Sequence, residues 1–178
     1  MVERSLPAGS EGSSSVPGAS AERRLLSAVH KGLLWILLLG LVGLEIELLL
    51  LKHTDGVWQV VPLVLLGFGL VVSLWYVASR SAAAVTVLSC AMILFIASGV
   101  AGTLLHLKGN VAYEKESNPG LSGRELFKGA VQGSTPTLAP GAMIQLGLLG
   151  LIVAFSGNRL RIAKNAGESS DVSQPQLK

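Results

Sequence analysis

Four apolar blocks set the terms for this chain of 178 residues, at about 33–51, 60–78, 84–105 and 140–156. A helix rises about 1.5 Å per residue, so roughly 20 apolar residues cross the ~30 Å hydrocarbon core of a bilayer. In lipid a spanning backbone must satisfy its own hydrogen bonds, and for blocks of this length that means helices. The fourth block is short and is expected to borrow Leu138 and Ala139. The predicted fold is all-α, an integral membrane four-helix bundle.

Composition agrees. Half of the residues are hydrophobic and only 14% are charged, where a soluble domain carries about 25% charged. The net charge of +3 sits beside the apolar blocks. That placement suits lipid headgroups, whereas a nucleic-acid partner would need a basic face interleaved with aromatics. Cys90, the sole cysteine, lies inside an apolar block, so it forms no intrachain disulfide and reads as a small packing residue.

Three regions follow. Residues 1–20 are rich in Ser, Gly, Ala and Pro without the apolar core of a signal peptide, and are expected to be a disordered tail. Residues 21–156 form one four-span domain with an outer loop at 107–139, and 157–178 a tail that is basic and then disordered. Pro62 and Pro140 fall in first turns of their helices, where a missing N–H is harmless. Trp35, Trp58, Trp75 and Tyr76 mark span edges as an interfacial aromatic belt would.

Ser20 is placed to cap a lead-in helix in which Leu25, Leu26 and Val29 make an apolar stripe beside basic residues. In the long loop, Ser122 to Glu125 fits a capping box, with Leu121 and Leu126 as the hydrophobic staple. A short extra helix is therefore predicted between the third and fourth spans, with Leu126, Phe127, Ala130 and Val131 on its apolar face. With the N-terminus inside, the inner side carries Arg23, Arg24, Lys31, Arg80, Arg159, Arg161 and Lys164 against five outer cations, Lys52, Lys108, Lys115, Arg124 and Lys128. The positive-inside rule then favours both termini in the cytoplasm.

Glu45 and Glu47 interrupt the first span. An ionisable group near the bilayer centre costs up to about 3 kcal/mol, and a leucine returns about 0.5 kcal/mol. Eleven leucines in block 33–51 roughly offset both glutamates at full cost, and Glu45 and Glu47 lie toward the outer end of the span, where the cost is lower, so the segment still inserts. At helical spacing Gly40, Gly43 and Glu47 share a face, and small residues mark tightly packed faces. Glu47 is therefore expected to point into the bundle, and Glu45 toward lipid or a different neighbouring helix. In the third span Ala91, Ser98, Gly102 and His106 share a face, so Glu47, His106 and Gln145 form a candidate outer-side polar network, with Glu45, His53, Asp55 and Gln59 peripheral.

Carboxylate and imidazole together can bind a divalent cation or relay protons. Glu47 and His106, with Glu45 and His53 at the margin, are the candidate metal ligands. The plainer role is a structural network that fixes helix register. Haem is disfavoured, because His53 sits by a tight loop and His30 lies at the opposite side. No P-loop, G-x-S-x-G, H-E-x-x-H or dinucleotide fingerprint occurs. Gly147, Gly150 and Ala154 read as a packing face of the fourth span.

The stretches ELLLLKHTDGVWQVVPLVLLG (47–67), LHLKGNVAYEKE (105–116) and GSTPTLAPGAMIQLGLLGL (133–151) resemble a group of small, uncharacterised four-span bacterial membrane proteins with no assigned function. The resemblance implies a bacterial plasma membrane and carries over no site residue. Two functions are expected to compete. One is a non-enzymatic structural, assembly or regulatory protein, without catalytic residues or cofactor, whose partners are the bilayer and a membrane protein or a second copy. The other is proton or divalent-cation binding or transport.

Overall fold

A computed structural model describes residues 17–133 and 138–172, with side chains described for 21–133 and 138–165. Five helices follow in order: α1 (Pro17–Leu50), α2 (Val57–Ser79), α3 (Ala82–Ser117), α4 (Gly123–Val131) and α5 (Gly141–Val172). The fold is all-α. Four of the helices are long and apolar enough to cross a membrane, and α4 is the short helix expected in the long loop.

All four long helices outrun their apolar blocks, three of them by many residues. α1 starts at Pro17, so Ser20 lies inside the helix and the lead-in is continuous with the span. α3 continues from the apolar run through the polar stretch HLKGNVAYEKES to Ser117, and α5 continues through Val172. Composition explains the extension of α3, because Ala, Glu and Lys are good helix formers that need no apolar environment. The tail expected at 157–178 is thus helical as far as Val172, and the tail expected at 1–20 is helical from Pro17. The rest of those two tails lies outside the described residues.

The turns are tight. Arg80 ends α2 in a left-handed conformation (φ 47), its N–H bonded to the Tyr76 carbonyl at 3.0 Å. Ser81 then caps α3, its Oγ accepting from the Ala84 N–H at 3.1 Å. α2 begins three residues before the apolar block, at Val57, so Pro62 falls inside the helix rather than in its first turn. Pro140 sits just ahead of α5, where its carbonyl accepts from the Met143 N–H at 3.0 Å.

The long helices pack as an antiparallel ring, α1 beside α2, α2 beside α3, α3 beside α5 and α5 beside α1. Among the described residues the backbones of the diagonal pairs, α1 with α3 and α2 with α5, do not approach each other. Leu37, Leu41, Leu66, Leu88, Met92, Phe95, Met143 and Val153 fill the centre. The closest pair is α3 with α5, as the small-residue face of the fourth span predicts. A side chain on Gly147 would lie 2.7 Å from the Met92 carbonyl oxygen, and one on Gly99 would lie 2.8 Å from the Pro140 carbonyl oxygen. The glycines let these backbones meet.

Candidate functional site

α1 buries a stripe made of His30, Leu34, Leu37 and Leu41, with Leu44 and Leu48 half-buried beyond it. These positions recur at three and four residues, one face of a helix. Glu47 lies off that stripe and is exposed. This corrects the expected inward placement. Gly40 does face a neighbour, since a side chain there would lie 2.5 Å from the Leu146 side chain, but a side chain on Gly43 would meet nothing within 4 Å. The two glycines therefore do not mark one interface that Glu47 could share.

Of the two placements open to Glu45, the structure turns it toward the neighbouring helices. It is half-buried, and its Oε2 is shielded from solvent without a hydrogen-bond partner among the described residues. It stands one turn beyond Leu41 along the buried stripe, which turns it inward.

Among the described residues no hydrogen bond or ion pair joins any two of Glu47, His106 and Gln145. The ring gives the reason: Glu47 is on α1 and His106 on α3, a diagonal pair whose backbones do not approach. His106 is half-buried and makes another interaction, whereas Gln145 is exposed on α5. His53 is half-buried in the turn after α1, and the Gln59 Oε1 accepts from the Asp55 N–H at 3.0 Å, closing the start of α2. No three His, Cys, Asp or Glu side chains converge on one metal position among the described residues. The four candidate metal ligands, Glu47, His106, Glu45 and His53, are not gathered.

A different polar group is gathered, at the end of the ring from which the start of α1 and the end of α5 extend. His30 on α1 and Tyr76 on α2 are both almost wholly buried. Tyr76 Oη lies 3.2 Å from His30 Nε2, and His30 Nδ1 lies 2.8 Å from Ser156 Oγ on α5. The Ser156 hydroxyl donates to the Val153 carbonyl at 3.1 Å. The His30 and Tyr76 rings meet edge-on, 6.0 Å between centroids at 72°.

Donor accounting sets the direction of this chain. A hydroxyl has one proton, and a neutral imidazole has one donor and one acceptor nitrogen. With Ser156 donating to Val153, His30 Nδ1–H donates to Ser156 Oγ, which leaves Nε2 to accept from the Tyr76 O–H. Every proton then has an acceptor. The reverse polarity would leave the buried Tyr76 hydroxyl proton without a partner, which costs about 1–3 kcal/mol.

This order differs from that of a catalytic Ser–His pair, where the imidazole takes the serine proton. Here the serine oxygen accepts a hydrogen bond from the imidazole N–H, and its own hydroxyl donates to the backbone of its helix. The arrangement ties three helices at one level. Tyr76 also crosses the diagonal, since its hydroxyl occupies the space where a side chain on Gly157 would stand. Gly157 is the notch that admits it.

The sequence reading missed this group. In the sequence His30 lies at the opposite side from His53 and His106, and Tyr76 fits an interfacial belt. Trp35, Trp58 and Trp75 are indeed exposed, but Tyr76 is 2% exposed. A usable signal existed: His30 extends the Leu34, Leu37 and Leu41 stripe, and Tyr76 extends the face of Gly69 and Ser73.

At the other end, α4 is clamped onto the polar extension of α3. Asn110, 1% exposed, donates from Nδ2 to the Ala130 carbonyl at 2.9 Å. Gly129 and Gly133 bring the backbone close, since side chains there would lie 3.1 Å from Glu114 Cδ and 2.8 Å from Asn110 Cγ. Ser122 occupies the N-cap position but makes no side-chain cap bond, and Gly123 takes φ +56. That left-handed residue opens the first turn, and the expected capping box is not closed. Leu121 and Leu126 are half-buried as the staple requires, while Phe127 is 60% exposed.

The fold and these two polar assemblies define a multi-pass α-helical membrane protein with four spans. No protein-family model matches the sequence, and neither the curated proteins nor the solved structures give a match.

Proposed function

We propose that the chain is a non-enzymatic structural, assembly or regulatory protein of a bacterial plasma membrane. Its termini are cytoplasmic, and the α3–α4 hairpin faces outward to a membrane-protein partner or a second copy. One observation carries the reading: Asn110 fixes α4 on a continuous helical extension of the bundle, while Phe127, Arg124 and Lys128 stay exposed on it. A fixed, amphipathic platform loses little entropy on binding, which favours recognition. The inner polar residues are used for holding helices together, as the proton order of the His30 chain indicates. Orientation rests on the seven-to-five excess of inner cations, and the bacterial setting on the resemblance of the three quoted stretches.

The test is the size of the complex in gently solubilised native membranes. Wild type should migrate well above an 18.5 kDa monomer, and Asn110→Ala should shift toward the monomer while the four spans stay folded. A monomeric wild type in its native membrane would sink the reading.

Proton or cation handling keeps one specific observation, the shielded and unpartnered Glu45 Oε2. If that reading holds, Glu45→Gln abolishes a proton or cation flux in proteoliposomes and Glu47→Gln does not.

A further inference from the structure

The end of the ring that carries His30 and Ser156 is strongly cationic. The bond between those residues sets α1 and α5 at one level, and both helices run on past it in the same direction. Arg23 lies about 10 Å beyond His30 along α1, and Arg161 about 8 Å beyond Ser156 along α5, at the helical rise. Lys31 is exposed beside them, and Arg80 projects from the turn between α2 and α3.

None of Arg23, Arg24, Lys31, Arg80, Arg159 and Arg161 pairs with a carboxylate among the described residues. Glu22 is the only acidic residue among the described side chains on these two extensions, with Glu168 and Asp171 following in the last turns of α5. Two of the guanidinium groups are held in place. Arg159 lies over the Phe155 ring, 5.2 Å from its centroid, and Arg161 Nη2 donates to Asn158 Oδ1 at 3.0 Å.

The apolar residues between these charges identify the partner class. Leu25, Leu26 and Val29 are each about half exposed or more, beside Arg23 and Arg24 on the same helix. A polyanion in water has no use for them, whereas a lipid surface takes both.

We propose that the adjoining ends of α1 and α5 form a docking surface for the headgroups of anionic phospholipids. Arg159 and Arg161 are its positioned guanidinium groups, and Leu25, Leu26 and Val29 its apolar floor. The surface is independent of the α3–α4 hairpin, which lies at the opposite end.

Full-length protein in a mild detergent, offered equal amounts of phosphatidylglycerol and phosphatidylcholine, tests this by native mass spectrometry. Phosphatidylglycerol should be retained preferentially, and raised salt should weaken the preference by screening. Arg159→Gln and Arg161→Gln should each reduce it about five-fold, as expected for one surface cation facing anionic lipid. These positions lie outside the core, so unfolding temperature should stay near that of wild type. Lys115→Gln with Arg124→Gln, at the other end, should leave the lipid preference unchanged. Equal retention of both lipids overturns the proposal. So does an equal loss from the opposite-end variant, or a co-purifying nucleic acid or acidic protein in place of lipid.

Discussion

His30 Nδ1 and Ser156 Oγ stand 2.8 Å apart although 126 positions separate them in the chain, and this one bond sets α5 level with α1. With Tyr76 on the other nitrogen, the imidazole joins three of the four long helices. Within a membrane the hydrophobic effect does not hold helices together, so packing and such bonds carry the association.

Tyr76→Phe keeps the ring and removes the proton that His30 Nε2 accepts. It should destabilise the bundle by about 0.6–2 kcal/mol, the range for a hydrogen bond between buried groups in membrane and soluble proteins. Thermal unfolding in detergent measures the loss, and histidine 15N spectra should show the Nδ1–H tautomer in wild type. An Nε2–H tautomer would reverse the proton order.

Glycine substitutions should separate packing positions from open ones. Gly157→Ala puts a methyl where the Tyr76 hydroxyl stands and must displace it. Gly32→Ala and Gly43→Ala meet nothing within 4 Å, so better helix propensity should stabilise each by about 0.5–1 kcal/mol. Unfolding temperatures of the three variants give the comparison, and equal shifts would contradict it.

At the α3–α5 contact the obstacle decides the cost. Gly147→Ala faces the Met92 carbonyl oxygen at 2.7 Å, a backbone atom that cannot move without its helix. Gly150→Ala faces the flexible Met92 side chain, which can take another rotamer. The first should be the more destabilising, by more than about 1 kcal/mol given the usual cost of overpacking.

Asn110→Ala removes the donor to the Ala130 carbonyl. Amide hydrogen exchange should then rise in α4 and at the end of α3, while the spans remain protected. Unchanged exchange in α4 would mean that its apolar contacts alone hold it.

The number of spans was legible because block length alone meets the bilayer's demand. Helix ends were not, since residues 106–117 lose their apolar character without losing helix propensity. The site failed for a related reason. Leucines occupy every face of the first span, so periodicity could not say which face is inside, and the two glycines pointed to the wrong one. Tyr76 looked like a belt aromatic because a span-end tyrosine satisfies both roles. The choice depends on Gly157, 81 positions later, which leaves space for its hydroxyl. Gly147 and Gly150 were legible as a packing face because they stand apart from the bulky residues around them.

In the proposed function the α3–α4 hairpin recognises a partner while the buried polar residues hold the bundle. A photoactivatable phenylalanine analogue replacing Phe127 tests it in living membranes, with the exposed mid-span positions Val71 and Ile152 as comparators. A discrete protein adduct from position 127, with only lipid adducts from 71 and 152, is the predicted result. Lipid adducts alone at all three positions would contradict it.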